Sequence, residues 1–119
     1  MNGLVINLTH SVDDVDRTSV AIVVAGASVA SSQETTVFLS SEGTHLATKG
    51  VAETLHEDGF APMSELVSGF IEAGGTFLVC SPCAKKRGIG EEDLIEGASI
   101  VGGATLVALL ADGASSLSF

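Results

Sequence analysis

Short apolar runs alternate along the chain with longer stretches in which apolar residues recur at helical spacing. The short runs predict five strands, at residues 3–9, 35–40, 76–80, 98–102 and 115–119. The longer stretches predict helices at residues 13–32, 62–73 and 104–113, with shorter helical turns at residues 44–49 and 81–88. Strands that alternate with helical connections predict a doubly wound α/β fold, in which helices cover both faces of a mostly parallel five-stranded sheet. We expect residues 1–119 to form one domain.

The first helix has a competing interpretation. Residues 20–24 have strong strand propensity, but a strand over the whole apolar stretch of residues 19–30 would be unusually long. Asp13, Asp14 and Asp16 also suit the beginning of a helix, where carboxylates face unpaired N–H groups. We therefore favour a helix here.

The last predicted helix has almost no polar face. Its apolar residues are Ala104, Leu106, Val107, Ala108, Leu109 and Leu110. Because a helix that is apolar all round is normally buried all round, this helix predicts an interface between subunits. The alternative is that another part of the same chain covers it.

The composition of the chain argues against some classes of function. The chain has 119 residues, 45% hydrophobic content and a formal net charge of -10 with only five basic residues. So strong a negative charge disfavours nucleic acid as a partner. We expect no membrane association, because no apolar stretch reaches the roughly 18 residues of a membrane span. The first ten residues lack the basic region of a signal peptide, and these features together predict a cytoplasmic protein.

The candidate chemistry lies in the segment VCSPCAKKRG, where a strand ends. Functional groups collect at the carboxyl ends of parallel strands, and Cys80 stands at such an end. Ser81 is a plausible N-cap and Pro82 fits the first helical position, which places Cys80 and Cys83 at the positive end of a short helix. Three cations, Lys85, Lys86 and Arg87, follow the cysteines and favour a reactive thiolate.

Other interpretations of this segment stay open. Cys80 could be an inert core residue, and the three cations could form a solvated helix face. The CxxC spacing is also that of dithiol oxidoreductases, but the tryptophan that precedes the cysteines in the thioredoxin family is missing. A zinc site has even less support, since one CxxC supplies only two ligands. No GxGxxG, Walker A, HExxH or GxSxG pattern is present, and we expect neither cofactor nor metal.

Several segments together carry a family resemblance. TTVFLSSEG, VCSPCAKKRGI, DLIEGASIVGGATLVALL and the closing SSLSF resemble DsrE/DsrF-like proteins, including the YchN-like branch. The resemblance implies a flavodoxin-like or closely related parallel sheet and a homo-oligomer such as a trimer or hexamer. In the sulfur-relay members it further implies a cysteine that carries sulfane sulfur as a persulfide. Cys80 matches that cysteine, and Cys83 matches a second cysteine found in many YchN-like members.

The leading hypothesis is a small sulfur carrier of sulfurtransferase type, in which Cys80 takes sulfur from a donor protein and passes it to an acceptor. The alternatives are a dithiol redox protein that uses Cys80 and Cys83, and a non-catalytic oligomeric binding module. In a sheet of strand order 2-1-3-4-5, His10 at the end of the first strand would approach Cys80, although a histidine in a polar turn needs no special role. Glu42 and Gly43 end the second strand and could border the same cleft, with Gly43 serving a turn conformation.

Overall fold

The computed structural model describes residues 3–119, which form twelve helical and strand segments. The strands are β1 (Gly3–Leu8), β2 (Glu34–Leu39), β3 (Thr76–Cys80), β4 (Ala98–Val101) and β5 (Ser115–Ser118). The α-helices are α1 (Val15–Ala30), α2 (Met63–Glu72), α3 (Ser81–Lys86) and α4 (Gly103–Ala111). Short 3-10 helices lie at Ser41–Ala47, Ala52–Thr54 and Glu91–Asp93. The predicted α/β fold is confirmed, and residues 20–24 are helical.

All five strands run parallel in one sheet, in the order β4-β3-β2-β1-β5. The order 2-1-3-4-5, in which β1 would neighbour β3, was wrong. Three successive crossovers step in one direction, and only the connection from β4 to β5 returns to the far side of β1. Hydrophobic patterns predict strands but not their neighbours, which is why this order was missed.

The main core lies on one face of the sheet. Ile6, Leu8, Val37, Leu39 and Phe77 point to this face and are fully buried in one cluster with residues of α1 and α2. Right-handed crossovers place α1, α2 and α3 on this face, because the strand order advances in a single direction through them. The reversal after β4 places α4 on the opposite face.

The helix α4 is exposed in the single chain, unlike α1 and α2. None of its residues is buried, and Val107 and Leu110 are 64% and 37% exposed. The helix nevertheless carries almost exclusively small and apolar side chains. The covering that its sequence predicts is therefore not supplied by residues 3–119 of the same chain.

Helix beginnings follow the sequence closely. Asp14 caps α1, and its side chain accepts a hydrogen bond of 3.0 Å from the Arg17 backbone N–H. The predicted short helix at residues 44–49 is instead a 3-10 helix that begins directly after β2. No helix within residues 3–119 combines the length and apolarity needed to cross a membrane.

Candidate functional site

The two cysteines lie where β3 passes into α3 without an intervening loop. Cys80 is both the last residue of β3 and the N-cap of α3, so the helix begins at Ser81, one residue earlier than predicted. Cys80 and Cys83 are both partly exposed, whereas the preceding Val79 is fully buried. The fold therefore places both thiols within reach of solvent at the carboxyl edge of the sheet.

The neighbouring strand contributes the backbone of Ser41 to this site. β2 pairs with β3, and the chain turns sharply after Leu39, with Ser41 in the left-handed conformation at φ 52°. The Ser41 amide is the largest of the influences that lower the pKa of Cys83. A backbone group some forty positions away in the sequence thus sets the state of the second cysteine.

Gly43 supports this turn by allowing a close approach rather than by its own conformation. Its φ is not positive, and a Cβ atom at this position would lie 2.3 Å from the Leu8 carbonyl oxygen. The predicted turn role therefore belongs to Ser41, and Gly43 lets the 3-10 helix pack directly on the end of β1.

An ion pair joins the ends of β2 and α3. Arg87 donates hydrogen bonds to Glu42 Oε2 from Nη2 at 2.9 Å and from Nε at 3.2 Å. Its Nη1 donates to the Cys83 carbonyl oxygen at 3.2 Å, and its side chain is only 15% exposed. The predicted position of Glu42 beside the cysteine segment is confirmed, and the same carboxylate partly neutralises the local positive charge.

The two thiols have opposite protonation preferences. Partial burial raises the pKa of Cys80, and the Cys83 thiol adds to that rise, against lowering first by the Cys83 backbone N–H and then by Arg87. The pKa of Cys83 is lowered, first by the Ser41 amide and then by Cys80, Arg87 and Lys86, against partial burial. Electrostatics thus favour the thiolate at Cys83, whereas the position at the helix start alone favoured it at both cysteines.

The three predicted cations do not contribute equally. Lys85 and Lys86 are exposed, while Arg87 is held against Glu42. Arg87 lowers the pKa of both thiols and Lys86 that of Cys83, but Lys85 is not among the main influences on either. The positive field therefore centres on the C-terminal part of the cluster.

His10 lies with a different group of side chains. Its Nδ1 is 2.8 Å from Asp13 Oδ2, and its Nε2 is 3.5 Å from Arg17 Nη1. Because β2 separates β1 from β3, the strand order that was to bring His10 toward Cys80 is not the one observed. The histidine nearest to the ion pair is His45, which lies 3.9 Å from Glu42 and which the sequence patterns did not single out.

No three His, Cys, Asp or Glu side chains converge in a geometry for a metal ion in the described part of the chain. What the site offers chemically is a pair of accessible sulfur atoms in one helical turn. One of them is biased toward the nucleophilic anion and the other toward the protonated thiol.

Known proteins support the same architecture. The E. coli ychN protein has a TM-score of 0.81 with full coverage of both chains at 19% identity. Protein MTH1491 of Methanobacterium thermoautotrophicum, described as of unknown function, has a TM-score of 0.70 at 18% identity, also with full coverage. At these identities the likeness establishes the fold.

Two relatives have a higher sequence identity to this chain than these solved structures have. The uncharacterized protein MK0008 of Methanopyrus kandleri is 33% identical over 71% of this chain and 67% of its own length. The uncharacterized protein MJ0989 of Methanocaldococcus jannaschii is 34% identical over 72% of each chain. The model of the DsrE/DsrF-like family matches residues 3–119. The chain therefore belongs to the DsrE/DsrF-like family.

Proposed function

We propose that this protein carries sulfane sulfur as a persulfide on Cys80, with Cys83 as the base that activates it. The DsrE/DsrF-like family is linked to sulfur relay. The observation that carries the proposal is the pairing of a partly exposed Cys80 with a second cysteine whose thiolate is favoured. Such a pair contains a nucleophile and a proton acceptor without help from any other side chain.

Loading proceeds by attack on a donor persulfide R–S–SH. The Cys80 thiol passes its proton to the Cys83 thiolate as its sulfur bonds to the outer sulfur of the donor. The donor S–S bond breaks and R–S⁻ leaves, so that Cys80–S–SH remains on the protein and one proton resides on Cys83. Transfer to an acceptor thiolate reverses these bond changes with the acceptor in place of the donor.

The higher pKa of Cys80 favours it as the attacking atom once it is deprotonated. Intrinsic nucleophilicity of a thiolate falls as its pKa falls, so the Cys80 thiolate, once formed, is the stronger nucleophile of the two. Cys83, with its lowered pKa, is the cysteine that favours the thiolate and can receive the proton of Cys80. The charges of Lys86 and Arg87 stabilise the anion during this exchange.

Intact mass spectrometry after incubation with glutathione persulfide tests the proposal. We expect Cys83→Ser to gain the mass of one sulfur atom in a form that a thiol reductant removes, with slower loading because its base is missing. Cys80→Ser should not gain this sulfur. Sulfur that loads equally on Cys80→Ser, or a Cys83→Ser protein that never loads even at alkaline pH, contradicts the proposal.

The CxxC spacing favours one second candidate, a dithiol oxidoreductase that uses Cys80 and Cys83. Such a protein would form an internal disulfide with an ordinary disulfide substrate and would not need a persulfide donor. Oxidised glutathione in place of its persulfide separates the two functions, because only the oxidoreductase cycles with it at a comparable rate.

A further inference from the structure

The position of Cys83 has a consequence for any sulfur held on Cys80. Cys80 is the N-cap of α3 and Cys83 is the third residue of the helix, and the pKa of each thiol responds directly to the other side chain. The backbone N–H of Cys83 lowers the pKa of Cys80, as expected where the side chain of an N-cap residue faces the N3 position of its helix. Cys83 can therefore reach Cys80 Sγ without movement of the sheet.

The surroundings hold Cys83 in this position. Arg87 is fixed against Glu42 and donates to the Cys83 carbonyl oxygen, which ties the backbone of this turn to the end of β2. The backbone of Ser41, in the same 3-10 helix as Glu42, also acts on Cys83 by lowering the pKa of its thiol. A nucleophile fixed beside its target has a high effective concentration.

We propose that Cys83 attacks the inner sulfur of the Cys80 persulfide, which releases hydrosulfide and closes a Cys80–Cys83 disulfide. This step rests on the proposed sulfur-carrying function and gives the site a second product besides transfer. A carrier that meets no acceptor thus releases its sulfur as hydrosulfide. It cannot accept sulfur again until the Cys80–Cys83 disulfide is reduced.

The step balances without a further reactant. In Cys80–S–SH + Cys83–S⁻ → Cys80–S–S–Cys83 + HS⁻, the bond between the two sulfur atoms of the persulfide breaks and the disulfide bond forms. The outer sulfur leaves as hydrosulfide with the electron pair of the broken bond, Cys83 sulfur supplies the pair of the new bond, and Cys83 sulfur is oxidised as the outer sulfur is reduced. An external thiol reductant then returns both cysteines to the reduced state.

Attack on the inner sulfur requires Cys83 to approach opposite the departing outer sulfur. A donor that reaches Cys80 from solvent leaves the outer sulfur on the solvent side, while Cys83 approaches from the helix. Attack on the outer sulfur would instead move the persulfide to Cys83 and release nothing. The two reactions give chains of different mass, because only attack on the inner sulfur removes the extra sulfur atom from the protein.

The test loads wild type and Cys83→Ser with glutathione persulfide, removes the excess and verifies the bound sulfur by mass. Hydrosulfide and intact mass are then followed without reductant. Wild type should release hydrosulfide and end two hydrogen atoms lighter than the reduced chain. Cys83→Ser should keep its sulfur at least about tenfold longer, because an intramolecular thiolate acts at high effective concentration.

Failure of this inference is distinguishable from failure of the carrier function. A wild-type chain that retains its sulfur as long as Cys83→Ser, with no disulfide, overturns the release step and leaves the carrier standing. Absence of loading in both chains overturns the carrier and the release step together.

Discussion

At the scale of single residues, Ser41 acts on Cys83 through its backbone and not through its side chain. A non-glycine residue in the left-handed region is destabilised by roughly 1–2 kcal/mol, and such conformations concentrate at functional sites. Here the Ser41 backbone lowers the pKa of Cys83 without adding a group that would itself titrate. The preference of Cys83 for the thiolate therefore depends on the backbone conformation after β2.

Arg87 should adjust the same thiol through its charge. In a Cys80→Ser background, where only Cys83 reacts, Arg87→Gln removes a positive charge that lowers the pKa of Cys83. The lowered pKa keeps the thiolate available as pH falls below the ordinary thiol range, until pH passes through the lowered value. We expect Arg87→Gln to slow iodoacetamide alkylation at neutral pH and to move the alkylation profile toward alkaline pH.

Two variants control this experiment. Lys85→Gln removes a charge of the same sign that is not a main influence on either thiol, so its profile should match the parent. Arg87→Lys keeps the charge and should restore part of the reactivity. Equal shifts from Lys85→Gln and Arg87→Gln would show that net charge alone, and not the placement of Arg87, sets the thiol pKa.

The residues of this site were predictable from sequence to different extents. Cys80, Cys83 and the cations share one short segment, and Glu42 follows a strand that ends at the same edge. The influence of Ser41 on Cys83 was missed because it comes from the backbone, and Gly43, two residues later, is the more obvious turn residue. Which thiol has the lower pKa depends on the influence of Ser41, which follows the neighbouring strand β2. The sequence pattern around the cysteines cannot predict this influence.

At the scale of elements, the 3-10 helix after β2 rests directly on the end of β1. The Ser40 backbone N–H donates to the Leu8 carbonyl oxygen at 3.2 Å, and Gly43 lies against the same oxygen. Leu46 and Ala47, later in this segment, are fully buried in the core. The turn that carries Ser41 and Glu42 is therefore fixed from both ends, which makes its packing part of the site.

A methyl group at Gly43 should disturb this packing. Gly43→Ala puts a Cβ 2.3 Å from a backbone oxygen that cannot swing aside, and overpacking of this kind destabilises by about 1–3 kcal/mol. Gly26→Ala is the matched control, because it lies inside α1 with no atom within 4 Å of the new Cβ. That change should stabilise by about 0.5–1 kcal/mol. Urea unfolding measures both, and equal stabilities would contradict the close approach at Gly43.

Element boundaries followed from the sequence more closely than element positions did. Asp14 caps α1, and Gly74 and Gly75 separate α2 from β3, and these signals are local. The neighbour relation between β1 and β3 is not local, since it depends on the direction in which each crossover steps. His10 was assigned a role near Cys80 on an assumed strand order, and the observed order places it with Asp13 and Arg17.

At the scale of the whole molecule, α4 is an apolar helix that the chain leaves uncovered. An apolar helix on an otherwise acidic chain exposes surface that water disfavours, and soluble proteins rarely leave such patches uncovered. The face of the sheet beneath α4 lies apart from the main core, with Val5 and Phe38 outside the cluster that α1 and α2 enclose. We propose that a second copy of the chain covers α4 in a homo-oligomer.

Charge placed on α4 should separate the subunits. Val107→Glu and Leu110→Glu put carboxylates on the two large apolar side chains of α4 that are exposed, where burial of an unpaired charge is strongly unfavourable. Light scattering should then give the mass of one chain for the double variant and a multiple of it for wild type. Val23→Glu changes a side chain that is 43% exposed on α1 and should leave the oligomer intact. Dissociation by Val23→Glu alone would move the interface to α1, and a monomeric wild type at micromolar concentration would remove it altogether.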